Sequence, residues 1–176
     1  MKGEREELPK RKYPRLKEYD YSRIGAYFVT ICSKDKRKAF GEIIDQEVIL
    51  NGTGKIVEQH WQQISKHFPN VELESYVVMP NHLHGIIVIE SRVTACRDRD
   101  NTESFGKPVR GSLSTIIRSF KSAVTRCFNQ QGKSPFNLWQ RSFYEHVIRN
   151  EADMARVCEY IHENPFRWNL DENYVE

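Results

Sequence analysis

An α+β fold is predicted by three features of the 176-residue sequence. Short segments rich in β-branched and aromatic residues alternate with two longer segments whose apolar residues recur at helical spacing. Their order is strand, helix, strand, strand, helix, strand, which is the order of a ferredoxin-like split βαβ unit. A further helical segment follows the last strand. We therefore expect a ferredoxin-like antiparallel sheet with helices on one face and an appended C-terminal helix.

The N-terminal half supplies the first strands and a helix. AYFVTIC (26–32) is a β-rich segment, and FGEIIDQEVIL (40–50) predicts two short strands or an irregular hairpin. Apolar residues recur at helical spacing from 56 to 67, and Pro69 ends that helix. VELESYVVMP (71–80) and HLHGIIVIE (82–90) predict two adjacent strands. The second is apolar on both faces after its histidines, which is typical of a central strand.

The C-terminal half contains the strongest helical periodicity, at residues 112–131. Its apolar stripe is Leu113, Ile116, Ile117, Phe120, Val124 and Cys127. A short strand is predicted at 144–148. The last helix opens at Asn150, with Asp153 placed for a capping-box-like pair, and it ends at Asn164 because Pro165 follows.

The chain is expected to form one domain at residues 21–170. A charged arm precedes it at 1–20, and a short tail follows at 171–176. Residues 91–111 are polar and aperiodic and contain Gly and Pro, so they predict a long surface loop.

Composition narrows the class of protein. The formal net charge of +3 neither requires nor excludes a nucleic-acid partner. No apolar run approaches the ~18 residues that a membrane span needs, and the N-terminus has no apolar signal segment. The four cysteines lie far apart, which favours reduced thiols over a zinc site or a disulfide framework. We expect a cytoplasmic protein with no membrane partner.

His82-Leu83-His84 is the strongest local motif, and it begins the predicted central strand. Alternate residues of a strand share one face and lie about 7 Å apart. The two imidazoles can therefore converge on one metal ion while Leu83 packs behind them. The alternative interpretation is two hydrogen-bonded histidines in a packed sheet.

Tyr160 and Asn164 form a second motif on the last helix. Residues four apart are neighbours on a helix surface. One rigid element can therefore present a hydroxyl nucleophile and an amide oxygen to one site. A half-buried tyrosine and a helix-terminal asparagine are the alternative interpretation.

Two basic segments are candidates for contact with nucleic acid. Cations and hydroxyls at helical spacing suit a phosphate backbone, and the helix at 112–131 carries Arg118, Lys121, Ser122 and Arg126 on its polar side. WQRSFYEHVIRNE (139–151) places aromatics among charges, and Arg141 is its candidate DNA contact. A solvated helix face and a strand packed in the core are the alternatives.

Read together, these segments resemble a known family. YVVMPNHLHGIIVI (76–89), WQRSFYEHVIRNE and EYIHENPFRW (159–168) follow one another as in the single-tyrosine transposases of the HUH endonuclease superfamily. The REP-associated tyrosine transposases are the most similar branch. The resemblance covers roughly residues 11–170.

The resemblance implies a site and an activity. His82, His84 and Asn164 would bind a divalent metal, Mg²⁺ or Mn²⁺, and Tyr160 would be the nucleophile. The implied enzyme nicks and rejoins single-stranded DNA beside a hairpin through a 5′-phosphotyrosine intermediate, as in DNA transposition. It would act in the bacterial cytoplasm as a monomer or homodimer, with the basic helix near the site. The general base is not evident from the residues.

Two other functions stay open. One is a structured-nucleic-acid-binding module whose catalytic set is unused, as in a domesticated transposase. The other is a structural metal or metal-hydrolase site, which needs a further ligand near the two histidines. Glu145 and His146 are the candidates that the sequence offers for that ligand.

Overall fold

The computed structural model of the chain describes residues 19–90, 109–130 and 137–175. The strands are β1 (Gly25–Cys32), β2 (Gly41–Ile44), β3 (Glu47–Leu50), β4 (Val71–Val78), β5 (His82–Ile89) and β6 (Tyr144–Ile148). The helices are α1 (Gly52–Gln62), α2 (Ile64–His67), α3 (Leu113–Gln130) and α4 (Glu151–Glu163). Most of the predicted arm (1–20) and loop (91–111) lies outside the described residues, as does Cys96.

A four-stranded antiparallel sheet forms the centre of the molecule, in the order β4-β5-β1-β6. This is the strand order of a ferredoxin-like unit, so the predicted fold class is confirmed. β5 lies between β4 and β1, which agrees with the central position predicted from its apolar residues. The histidine motif therefore stands in the interior of the sheet rather than at an edge.

The small hairpin predicted at 40–50 is formed by β2 and β3, which pair with each other outside the main sheet. Asp45 and Gln46 connect them, with φ angles of 50° and 67°. Two consecutive left-handed residues are typical of the tight turns that join hairpin strands.

The predicted helix at 56–67 is interrupted in the structure. α1 begins at Gly52 because the Asn51 side chain accepts hydrogen bonds from the backbone N–H groups of Thr53 and Gly54, at 2.8 and 3.0 Å. It ends at Gln62, and a single further turn, α2, follows after Gln63. Periodicity continues across this interruption, so the spacing of apolar residues did not reveal it.

α1 and α3 cover one face of the sheet. The apolar stripe predicted on α3 is buried there with Trp61 of α1 and with Val29, Leu83 and Ile87 of the two central strands. Trp61 is fully buried, and its ring lies edge-on to Phe120 at 5.5 Å between centroids. This layer is the main hydrophobic core.

α4 covers the opposite face. Val157 and Ile161 of this helix are buried against Phe28, Ile86 and Ile148 of the sheet. Each such side chain contributes about 1.5–3 kcal/mol when fully buried, which is enough to hold a short helix on the sheet. The appended helix thus lies on the face of the sheet that also carries the histidines. Across the described ranges, no helix combines the length and apolar character that crossing a membrane requires.

Candidate active site

Two buried histidines at the start of β5 form the centre of the site. His82 and His84 are 0% and 2% exposed, and their ring centroids are 4.3 Å apart. They share a face because side chains alternate along a strand. Leu83 between them is buried in the core on the other face, as the motif predicts.

Each imidazole has a partner for its Nδ1 atom. His82 Nδ1 lies 2.8 Å from Oδ1 of Asn81, and His84 Nδ1 lies 2.9 Å from the hydroxyl of Thr30 on β1. Phe28, also on β1, stacks on the His84 ring at 5.3 Å between centroids. These contacts fix both rings on the face of the sheet that α4 covers.

α4 brings Tyr160 to the histidines within the same chain. The helix starts where Asn150 accepts a hydrogen bond from the backbone N–H of Asp153 at 2.8 Å, so the predicted cap is present. Ten residues later the Tyr160 hydroxyl lies 3.3 Å from Nε2 of His84. No partner subunit is needed to bring these two side chains together.

Asn164 closes the site at the C-terminal end of α4. Its side chain is 4% exposed, and its Nδ2 atom donates a hydrogen bond to Oδ2 of Asp171 at 2.8 Å. Its Oδ1 atom is buried and has no hydrogen-bond partner in the described ranges. The structure therefore brings together all four residues that the sequence named for the metal and the nucleophile.

Asp171 joins the site, although sequence reasoning assigned it to a C-terminal tail. A 3₁₀ turn at Pro165–Leu170 returns the chain toward the sheet, and the Asp171 side chain is 1% exposed. Its Oδ2 atom accepts a hydrogen bond from Tyr160 at 3.3 Å and lies 3.8 Å from Nε2 of His84. Its Oδ1 atom accepts one from the backbone N–H of Asn173 at 2.6 Å. No local sequence pattern predicts that Asp171 belongs to the site, because only the turn at Pro165–Leu170 brings its carboxylate to the histidines.

Burial and the neighbouring groups together set the protonation of the site. Burial and the nearby Asp171 carboxylate raise the pKa of Tyr160 above its ordinary value. Burial, with His84 adding to it, lowers the pKa of His82 well below its usual range, so His82 is neutral. Burial would raise the pKa of Asp171, but the imidazoles and the Asn164 amide outweigh it and hold that pKa below its ordinary value. At neutral pH the site therefore holds a phenol beside a carboxylate.

This donor set fits a divalent cation. One ligand atom from each of His82, His84 and Asp171 lies within 4.8 Å of the others. Nε2 of His82 and Oδ1 of Asn164 are buried acceptor atoms with no hydrogen-bond partner within the described part of the chain. A buried acceptor without a partner is costly, and a bound cation would remove that cost.

Glu145 and His146, the alternative ligands, do not join this group. Glu145 is buried on β6 and accepts a hydrogen bond from the hydroxyl of Tyr21. His146 Nε2 lies 2.8 Å from a carboxylate oxygen of Asp153, near the start of α4. The carboxylate near the histidines comes from Asp171 instead.

Four of the predicted DNA contacts lie on α3: Arg118, Lys121, Ser122 and Arg126. α3 covers the face of the sheet opposite α4, so its basic side is not on the face that carries the site, contrary to expectation. Lys121 donates hydrogen bonds to the backbone carbonyls of Gln140 and Ser142 at 2.9 and 2.8 Å, and burial lowers its pKa to about 8. The other predicted contacts have exposed side chains: Arg118, Ser122, Arg126 and Arg141.

Comparison with known proteins finds two relatives in sequence. No family model matches it. An uncharacterized protein of Haemophilus influenzae is 42% identical over 166 residues, which cover 92% of each chain. A second protein of that organism, described as a candidate REP-associated tyrosine transposase, is 24% identical over 89% of this chain and 77% of its own.

A solved structure shares the fold. It is a REP-associated tyrosine transposase bound to a REP hairpin, and it matches with a TM-score of 0.61 at 21% identity, over 90% of this chain and 76% of its own. The resemblance first read from the motifs thus recurs in overall sequence and in fold. The chain is thus similar to REP-associated tyrosine transposases, in sequence to one relative and in fold to one solved structure.

Proposed function

We propose that the protein is a transposase-like DNA endonuclease and strand transferase. It nicks and rejoins single-stranded DNA beside a hairpin through a 5′-phosphotyrosine intermediate, with a divalent cation in the site. One observation carries the proposal: the Tyr160 hydroxyl lies 3.3 Å from Nε2 of His84, beside two buried acceptor atoms that have no protein partner in the described ranges. A nucleophile next to a set of metal-ligand atoms is the arrangement that phosphoryl transfer by a tyrosine needs.

His82, His84 and Asn164 are the residues that would hold the cation, through two imidazole nitrogens and one amide oxygen. Two imidazoles are more typical ligands of first-row transition ions than of Mg²⁺, so Mn²⁺ is the better fit of the two. When bound, the cation would polarise the scissile phosphate and favour the ionised form of the neighbouring phenol.

Tyr160 is the nucleophile of the proposed reaction. Its oxygen attacks the phosphorus, the bond from phosphorus to the 3′-oxygen breaks, and a 5′-phosphotyrosine and a free 3′-hydroxyl result. The 3′-hydroxyl of the same or another strand reverses this exchange, so joining needs no nucleotide cofactor. The rigid position of Tyr160 on α4 reduces the entropy that the attack would otherwise cost.

Asp171 is the acceptor for the Tyr160 proton. Its Oδ2 atom already receives the hydrogen bond from the phenol, and it is ionised at neutral pH. The transfer is unfavourable without other charge in the site, because the pKa of the phenol is raised and that of the carboxylate is lowered. Reaction is therefore expected to depend on the bound cation.

The DNA-binding residues would hold the strand outside the reacting centre. Arg118, Ser122 and Arg126 on α3 and Arg141 before β6 are exposed and suit contacts with phosphates. Lys121 has a third N–H besides the two that donate to backbone carbonyls. Because α3 and α4 cover opposite faces, these residues would bind the DNA that flanks the cleaved bond.

The test is formation of a covalent protein–DNA adduct. Incubation with single-stranded hairpin DNA and Mn²⁺ should give a product that migrates more slowly on a denaturing gel, and EDTA should prevent it. Tyr160→Phe should form none, while Tyr144→Phe, a change on the same face of the sheet, should still form it. An adduct from Tyr160→Phe would refute the assignment, and DNA binding that resists EDTA, with no cleavage in any metal, would favour the binding module.

A further inference from the structure

The side chain of Asn81, the residue before His82, makes three hydrogen bonds while completely buried. It is 0% exposed and lies in the turn between β4 and β5. Its Nδ2 atom donates to the backbone carbonyls of Lys36 at 2.9 Å and Asn173 at 2.7 Å. Its Oδ1 atom lies 2.8 Å from Nδ1 of His82. The amide therefore joins three separate segments of the chain at one edge of the site.

These contacts allow only one arrangement of protons. A carbonyl oxygen can only accept, so the atom that faces the Lys36 and Asn173 carbonyls must be the amide nitrogen. The atom that faces His82 is then the amide oxygen, which also only accepts, so Nδ1 of His82 must carry a proton. A neutral imidazole has one N–H, and Nε2 therefore keeps its lone pair. That Nε2 is the buried atom without a hydrogen-bond partner in the described ranges.

We propose that Asn81 is a positioning residue that holds His82 in the Nδ1–H tautomer and directs the Nε2 lone pair at the cation. The inference rests on the proposed function for the cation, whereas the proton arrangement is a property of the chain without metal. Partners of this kind orient metal-ligating histidines and raise their basicity, and losing one typically costs about 10- to 100-fold in metal affinity.

The second histidine provides a matched control. Nδ1 of His84 contacts the hydroxyl of Thr30, and a hydroxyl both donates and accepts, so this contact does not select a tautomer. Thr30→Val keeps the shape and β-propensity of the side chain while removing the partner of His84. It leaves the hydrogen bonds of Asn81 in place.

The first measurement needs no variant. Long-range ¹H–¹⁵N NMR on metal-free, histidine-labelled protein at pH 8, above the ordinary histidine pKa of about 6.5, reports which ring nitrogen carries the proton. We expect Nδ1–H at His82. A proton on Nε2 of His82 would overturn the proposal.

The second measurement compares variants. Asn81→Ala should admit the Nε2–H tautomer at His82 and weaken Mn²⁺ binding, measured by electron paramagnetic resonance, by about 10- to 100-fold. Thr30→Val should leave the His82 tautomer unchanged. Unaltered Mn²⁺ affinity in folded Asn81→Ala, or an equal tautomer change in Thr30→Val, would refute the role, and the tautomer of the unaltered protein tests it even if Asn81→Ala does not fold.

The DNA adduct separates the two proposals. If the tautomers and the Mn²⁺ affinities behave as expected but no adduct forms with any hairpin DNA, the proposed function fails and the role of Asn81 stands.

Discussion

Gly85, the residue after His84, has no room for a side chain, and Gly85→Ala tests how tightly β5 is packed. A Cβ atom there would lie 2.3 Å from Cζ2 of Trp61 and 3.0 Å from two further atoms of the indole ring. Carbon atoms in optimal contact are about 3.5–4.0 Å apart, so the strand or the ring would have to move by more than about 1 Å. Gly85 pairs with Val29 on one side and Tyr76 on the other, which prevents the strand from moving away.

The expected cost follows from this overlap. Overpacking a well-packed core costs about 1–3 kcal/mol, and a fully buried indole ring places Gly85→Ala at the upper end. Alanine restricts the unfolded chain more than glycine does, which offsets this cost by about 0.4–1 kcal/mol. The net loss in the free energy of unfolding should therefore be about 2 kcal/mol. For a chain of this length that corresponds to a Tm lowered by about 4–8 °C.

Urea unfolding followed by circular dichroism measures this change as a lower midpoint with an unchanged slope. Gly52→Ala is the matched control, because a Cβ at Gly52 meets no atom within 4 Å and should not destabilise the chain. In a Trp61→Phe background Gly85→Ala should lose most of its cost, since the ring that it meets is smaller. An unchanged midpoint, or an equal cost in both backgrounds, would refute the reasoning.

Three further predictions concern the helices. Asn150→Ala should lower the free energy of unfolding by about 1 kcal/mol in urea titrations, because α4 loses the cap at its start; no loss would mean that the cap contributes nothing. Burial would raise the pKa of Asp153, but Arg156 and other neighbours hold that pKa below its ordinary value. The ionised carboxylate therefore stabilises the fold fully above the ordinary pKa of about 4, and this stabilisation is lost as pH falls through the lowered pKa of the folded chain. Asp153→Asn should therefore flatten the acid side of the stability curve, and an identical acid limb would contradict this. Arg118→Ala and Arg126→Ala should each reduce the slope of log affinity for DNA against log salt by about 0.7–0.9; unchanged slopes would exclude this helix face from DNA binding.

Local patterns were sufficient for much of the fold. β-Rich segments identified every strand of the main sheet, and the helical spacing of apolar residues with the capping and proline signals identified α1, α3 and α4. The break after Gln62 and the left-handed turn at Asp45–Gln46 are backbone details that periodicity does not report.

Some relations within the candidate site are likewise local in sequence, and others depend on the tertiary structure. The sequence by itself determined that His82 and His84 share one strand face, and that Tyr160 and Asn164 lie together on one helix, because those relations depend only on residues two or four apart. The tertiary structure decided which face of the sheet α4 covers, and so brought Tyr160 within 3.3 Å of His84. It also returned Asp171 to the site and placed α3 on the opposite face. These relations join segments far apart in the chain, and packing of the whole molecule sets them.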